Sequence, residues 1–265
     1  MKQVLFITGS RADWGKLVTL AKAVHADPKL HCRLFVTGTH LQVAYGHTAN
    51  EITALIEQVR HPNYATSPDL VLAKTLQALS TIDRPDLVIV HGDRMEALAG
   101  AIYGLAHSVP VGHVEGGERS GSMDEATRHA VTKLATYHFV ANEEAAEVVA
   151  AMGEDRRRIK AIGSPDLDVI LNNKPLELRG LIPFAPNDYG VFCYHPVTTL
   201  SSDEISRRAL EVVTAADLSG ENWVVIMPNN DPGHYRIEVA LRRLVGPRFY
   251  VQRHLHFEAF LAVLR

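Results

Sequence analysis

The chain of 265 residues contains only two cysteines, Cys32 and Cys193. Both fall in apolar runs, so buried thiols in a reducing compartment are expected rather than a disulfide. There is no basic run and the net charge is −3, which argues against nucleic acid as a partner. No segment approaches the length of a membrane span. The apolar part of the N-terminal MKQVLFITGS is too short for a signal-peptide core. These absences point to a cytoplasmic protein without a membrane partner. HExxH, paired CxxC and EF-hand spacings are missing, so no metal is expected, and no cofactor. Internal repeats and low-complexity segments are missing too.

What is present is ordinary for a globular protein: 46% hydrophobic and 22% charged residues. The length allows one large domain or two smaller ones. Apolar β-branched runs alternate with helical periodicity. VLFIT (4–8), CRLFVTG (32–38), DLVIVHG (86–92), VPVGHVE (109–115), YHFVAN (137–142) and IKAIG (159–163) read as strands. Helices are expected at about 15–26, 68–81, 95–106, 124–136 and 143–152. The strand runs are continuous rather than alternating, as in a sheet covered on both faces. The βαβα order implies a doubly wound parallel α/β sheet.

From Ser164 to Asn187 the pattern changes to Pro, Asn and Asp, which reads as an interdomain connection. The alternation then restarts with YGVFCYH (189–195), WVVIMP (223–228) and RFYVQ (248–252), and helices at 202–216 and 235–245. The expected division is 1–170 for a first Rossmann-like domain, 171–187 for the connection and 188–265 for a second, partial one. A sheet of three strands is expected to leave one flank uncovered, which suggests a fragment or a partner-dependent protein.

Chemistry concentrates at two strand ends. His91 and Asp93 close one apolar run, and His113 and Glu115 close another. Residues two apart share one face of a strand, and the carboxyl ends of strands are where open α/β sheets bind ligands. Asp93 has two readings, a helix N-cap or a functional carboxylate with His91 and Arg94 as charge partners. Glu115 lies between an apolar strand and Gly116-Gly117. A carboxylate there is costly unless paired or catalytic, and the glycines would let a ligand approach the backbone. Glu118, Asp124, Glu125 and Arg128 are either a solvated helix start with an i,i+3 pair or part of the site. Thr8-Gly9-Ser10-Arg11 opens a helix, and such an N-terminus offers free N–H groups to an anion.

Several segments carry a resemblance: TGSRADWGK (8–16), VTGTH (36–40), HGDRMEALA (91–99), HVEGGERSGSMDEATRH (113–129), ANEEA (141–145), IGSPDLD (162–168), YHPVT (194–198) and PNND (228–231). In order and spacing the chain resembles the hydrolysing branch of the UDP-N-acetylglucosamine 2-epimerase family. The resemblance implies a glycosyltransferase-B-like architecture of two Rossmann-like domains. It also implies a second domain cut short, because the family's Gly-Ser-rich nucleotide turn has no counterpart before Arg265.

The implied reaction turns UDP-N-acetylglucosamine and water into N-acetylmannosamine and UDP, through 2-acetamidoglucal, in sialic-acid-type sugar synthesis. A carboxylate takes the C2 proton while cations stabilise the departing diphosphate. The resemblance assigns Asp93, Glu115, Glu125 and His195 to catalysis, with His195 facing the interdomain cleft. It assigns Arg11, Lys16, Arg94, Glu118, Arg128 and Asn229 to substrate binding. Which carboxylate takes the proton stays open. Homo-oligomerisation is expected by family. The rivals are a GDP-linked or UDP-2,4-diacetamido sugar as substrate, a non-hydrolysing epimerase, and a non-catalytic fragment.

Overall fold

The computed structural model describes residues 1–265 apart from Thr66, Ser122, residues 173–175, Arg179, Asn230 and Arg265, and without the side chain of Asn172. Parts of the expected connection and one residue each of the 113–129 and 228–231 motifs therefore lie outside the described residues. The chain divides into two compact units, Met1–Asn172 and Asn173–Arg265.

The first unit holds seven parallel strands: β1 (Lys2–Thr8), β2 (Leu30–Val36), β3 (Glu57–Arg60), β4 (Leu87–His91), β5 (Val111–Val114), β6 (Tyr137–Val140) and β7 (Ile159–Ala161). Their order across the sheet is β3-β2-β1-β4-β5-β6-β7. The order reverses between β1 and β4, which pair in register from Val4 with Leu87 to Phe6 with Ile89. Such a reversal opens a crevice at the strands' carboxyl ends. The helices are α1 (Arg11–Ala26), α2 (Pro68–Leu79), α3 (Met95–Ala106), α4 (Met123–Leu134), α5 (Glu143–Ala151) and α6 (Pro165–Asn172). On one face, α1 packs Trp14, Leu17 and Ala21 against Val4, Phe6 and Leu34. On the other, α2, α3 and α4 pack Leu79, Ala101 and Val131 against Leu5, Ile7, Val88 and Val90. Continuous apolar strands therefore have a partner layer on each side, as their composition requires.

Three local differences from the sequence reading have physical causes. Helix α1 begins at Arg11 rather than Gly15, because Ser10 takes the N-cap and accepts the Asp13 N–H. Strand β3, with only polar and charged residues around Val59, lacks an apolar signature because it is the sheet edge. Pro165–Asn172 is helical and packs on α1, although its Asp-rich composition reads as a linker. Among the described residues, no helix is long and apolar enough to cross a membrane.

The second unit holds β8 (Gly190–Cys193), β9 (Trp223–Ile226) and β10 (Phe249–Gln252), parallel in the order β10-β9-β8. Helices α7 (Ser202–Leu218) and α8 (His234–Leu241) cover one face through Ile205, Ala209, Val213 and Ile237. Helix α9 (Phe257–Leu264) covers the other through Val263, joined by Leu178, Leu181, Ile182 and Phe184. The expectation of a bare flank is thus overturned. Apolar residues scattered among prolines in the 176–187 stretch fold back onto the sheet, and that burial is worth roughly 25 cal/mol per Å². Cys32 is buried as expected, but Cys193 is exposed, because it is the last residue of a short edge strand.

Candidate active site

At the carboxyl ends of β1, β4 and β5, side chains form a line of alternating charge. Glu96 contacts Arg94 (Oε2 to Nε, 3.3 Å), and Arg94 reaches Asp13 (Nε to Oδ2, 3.9 Å). Asp13 faces His91 (Oδ1 to Nδ1, 3.5 Å), and His91 binds Glu115 (Nε2 to Oε2, 3.0 Å). Glu115 binds Lys16 (Oε1 to Nζ, 3.0 Å), and Lys16 binds Asp166 (Nζ to Oδ2, 2.9 Å). Ser164 bridges the far end: its hydroxyl accepts from Lys16 Nζ at 2.7 Å and sits between the carboxylates of Glu115 and Asp166.

Local sequence explains how each group arrives. Asp13 Oδ2 accepts from Gly9 N–H at 3.1 Å and from the Ser10 hydroxyl at 3.0 Å, a reciprocal cap that buries its carboxylate. Lys16 stands three residues on, on the same helix face. His91 ends β4, and Glu115 follows β5. Ser164 and Asp166 enter with α6, which packs on α1.

The charges follow from this arrangement. Burial opposes protonation of His91, but the Asp13 and Glu115 carboxylates outweigh it and raise its pKa to about 9. Burial pushes the Glu115 carboxyl up, yet His91, Ser164 and Lys16 together hold it down at about 2. Asp13 is likewise held below the usual carboxylate range against its burial, by His91 and Arg94. Lys16 is held above its ordinary value, because Asp166 and Glu115 outweigh its burial. Near neutral pH Asp13, His91, Glu115 and Lys16 are therefore all charged.

A second cluster lies on the other side of the sheet. Asp93 is tightly paired with Arg128 Nη2, and Arg128 Nη1 donates to the Glu118 carbonyl at 2.9 Å. Burial pushes the Asp93 carboxyl above its ordinary value; Arg128 opposes the shift, and the negative charge of Asp124 adds to it. Glu125 turns away, with Oε2 accepting from the N–H groups of Ser120 and Gly121 at 2.8 Å each, which hold its pKa low.

Several sequence expectations change here. His91 faces α1 whereas Asp93 faces α4, and His113 bonds Thr132 of α4 whereas Glu115 faces Lys16 of α1. The two-residue spacing does not keep each pair on one face, because Gly92 (φ 66°) and Glu115 (φ 59°) are left-handed and end the pleat. His113 is fully buried. Its Nε2 lies 2.8 Å from the Gly92 carbonyl, its Nδ1 lies 3.1 Å from Thr132 Oγ1, and burial lowers its pKa to about 3. Asp93 is not an N-cap; Arg94 occupies that position and pairs with Glu96 and Asp13 rather than Asp93. Arg128 pairs with Asp93 instead of Glu125. Glu118 contributes its carbonyl while its side chain is exposed. Gly116 and Gly117 also serve packing: a Cβ on Gly116 would meet His113 Nδ1 at 2.8 Å, and one on Gly117 the Ala145 carbonyl at 2.4 Å.

Arg11 is the first residue of α1, partly exposed beside this cluster's entry turn. In the second unit His195 and Asn229 come together. The Asn229 N–H donates to His195 Nδ1 at 3.3 Å, so the neutral ring carries its proton on Nε2, which lies 3.4 Å from Cys193 Sγ. The Asn229 amide donates to Asp231 at 2.6 Å. The residues not singled out from sequence are Asp13, Glu96, Ser164 and Asp166. All four stand inside the quoted TGSRADWGK, HGDRMEALA and IGSPDLD motifs, which were the available signal.

Comparison with known proteins agrees with this architecture. The sequence profile of the family described as UDP-N-acetylglucosamine 2-epimerase matches residues 22–265. The chain is 39% identical to a UDP-N-acetylglucosamine 2-epimerase of Neisseria meningitidis, over all of this chain and 73% of that protein. It is 31% identical to the UDP-N,N'-diacetylbacillosamine 2-epimerase (hydrolyzing) of Legionella pneumophila, over all of this chain and 74% of the other. The crystal structure of the Neisseria meningitidis UDP-GlcNAc 2-epimerase bound to UDP-GlcNAc superposes with a TM-score of 0.81 at 16% identity. That superposition covers 99% of this chain and 75% of the other. The fold is thus α/β and glycosyltransferase-B-like, with the second unit contributing three strands.

Proposed function

Because the chain belongs to the UDP-N-acetylglucosamine 2-epimerase family, we propose that it is a hydrolysing 2-epimerase converting UDP-N-acetylglucosamine and water to N-acetylmannosamine and UDP. The observation that carries the reading is the contrast among the carboxylates at the strand ends. Glu115 and Glu125 are held ionised at low pKa, while Asp93 alone of the three is pushed up. A weakly basic carboxylate is a poor proton acceptor. Asp93 is therefore assigned the C2 proton, with Arg128 holding its orientation and Asp124 raising its basicity. This selects one member of the set that the sequence left open.

The C2–H bond breaks as the C1–O bond to UDP breaks, giving 2-acetamidoglucal and UDP. Water then adds across C1=C2, with the hydroxyl at C1 and the proton delivered to the opposite face of C2. Positive charge and hydrogen-bond donors must meet the leaving diphosphate. Arg11 at the N-terminus of α1, as the cation, and the Nε2–H of His195 beside Asn229, as a donor, are the candidates, each in its own unit. Glu115 acts by keeping His91 and Lys16 charged. The hydrolysing outcome is supported by the likeness to the hydrolysing Legionella relative.

A proton NMR time course with UDP-N-acetylglucosamine in deuterated water tests the reading. Free N-acetylmannosamine with deuterium at C2, plus UDP, is the expected result. UDP-N-acetylmannosamine would make it a non-hydrolysing epimerase, and an inert mixture would sink the assignment. The Legionella relative favours one other substrate, a UDP-2,4-diacetamido sugar, and turnover of that compound alone would replace the first reading.

A further inference from the structure

We propose that Asp13 is a positioning residue, which fixes the orientation and charge of His91 across the β1–β4 crevice. The inference deepens the proposed function, since the ring it governs stands beside Glu115 in that same site. Asp13 is buried, and both its oxygens are spoken for from opposite directions. Oδ2 is anchored by Gly9 N–H and Ser10 Oγ, while Oδ1 faces His91 Nδ1 at 3.5 Å. On the ring's other side, Nε2 bonds Glu115 at 3.0 Å. An imidazole with a carboxylate facing each nitrogen is stabilised as the cation, through a hydrogen bond from Nε2 to Glu115 and through charge on the Asp13 side. Because Asp13 is tethered by its own helix cap, it holds one orientation while the ring is placed between strands. The same Oδ2 lies 3.9 Å from Arg94 Nε, so Asp13 also links the two cations that leave β4.

The groups around His91 are Asp13 on α1, Glu115 after β5 with Lys16 behind it, and Asp93 and Arg94 after β4. His113 on β5 adds an opposing influence when charged. Of these, only Asp13 and Glu115 stand at the ring's nitrogens. Removing Glu115 would strip Lys16 as well, whereas Asp13→Asn changes the Nδ1 side of the ring and, beyond it, only the long 3.9 Å contact to Arg94 Nε. The amide oxygen can still accept from Gly9 and Ser10, and its NH₂ then faces Nδ1. That NH₂ makes Nδ1 an acceptor and the ring neutral.

The test is the titration of His91 in the 265-residue chain without substrate, by imidazole nitrogen NMR, with His91→Gln assigning the resonance among fourteen histidines. In the unaltered chain both ring nitrogens should be protonated at pH 7.5. In Asp13→Asn the His91 midpoint should fall by at least about one pH unit. The alkaline limb of the kcat profile should move down with it. At pH 8, kcat should drop on the order of a hundred-fold with KM nearly unchanged, and Asp13→Glu should restore part of it. A neutral His91 in the unaltered chain at pH 7.5 overturns the proposal, even if Asp13→Asn does not fold. So does an unmoved midpoint in folded Asp13→Asn. The titration needs no turnover, so a wrong substrate assignment would leave it readable.

Discussion

His91 Nε2 and Glu115 Oε2 meet at 3.0 Å across the ends of β4 and β5, twenty-four residues apart in the chain. The contact exists because Glu115 adopts a left-handed backbone immediately after β5 and swings toward α1, where Lys16 takes its other oxygen. One carboxylate thereby holds two cations.

Neutralising that carboxylate has a structural consequence. Glu115→Gln leaves His91 and Lys16 with one anionic partner each, so unfolding free energy should fall by about 1–3 kcal/mol. Turnover should also be lost. Urea unfolding alongside the NMR assay checks both. Unchanged stability would mean that the pairing contributes nothing measurable.

Asp93→Asn should behave differently. It removes the proposed proton acceptor and leaves the His91–Glu115–Lys16 line intact. kcat should fall on the order of a thousand-fold, while binding of UDP, followed by calorimetry, persists. If deuterium still enters C2 at the original rate, the acceptor is another group.

The glycines after Glu115 are structural. Gly117→Ala must place a Cβ at 2.4 Å from the Ala145 carbonyl, in a residue with φ 83°. A loss of at least about 1–3 kcal/mol is expected, read as a lowered urea midpoint. Soluble protein of unaltered stability would contradict the packing described for the β5–α4 turn.

Stability should peak near pH 6.5. His40 and His113 are buried neutral, with pKa lowered to about 4 and about 3. As pH falls below the ordinary histidine value, the unfolded chain takes up protons that the folded one refuses, and stability declines. His91 works the other way. Its folded pKa of about 9 makes its contribution full below about 6.5, and it is lost as pH rises toward 9. Urea midpoints from pH 4 to 9.5 should trace this maximum, and His91→Gln should flatten the alkaline side. A curve still rising between pH 7 and 9 would be incompatible with a cationic His91.

Much of the architecture was legible because burial on both faces leaves a compositional mark. The runs at 86–91, 109–114 and 223–226 read as interior parallel strands, and strand ends carrying acids and histidines announced a site. Edge strand β3 left no such mark, and neither did Pro165–Asn172, whose apolar residues are interrupted by Pro165, Asp166 and Asp168. The motifs also placed the chain in its family. Side-chain partnership was a different matter. Pleat alternation stops where Gly92 and Glu115 turn left-handed, so spacing alone misassigned the faces of Asp93 and Glu115.

The sequence by itself determined the strand and helix order apart from β3 and Pro165–Asn172, the family and the stretch of chain where chemistry gathers, since each of these depends on local composition and short motifs. Only the tertiary structure decided which cation meets which carboxylate. Lys16 finds Glu115 and Ser164 across separations of 99 and 148 residues. Asp93 is turned to Arg128 and Glu125 to its own loop. Charges act through distance in space, and at the end of a strand that distance is set by backbone turns and packing helices that no local pattern encodes.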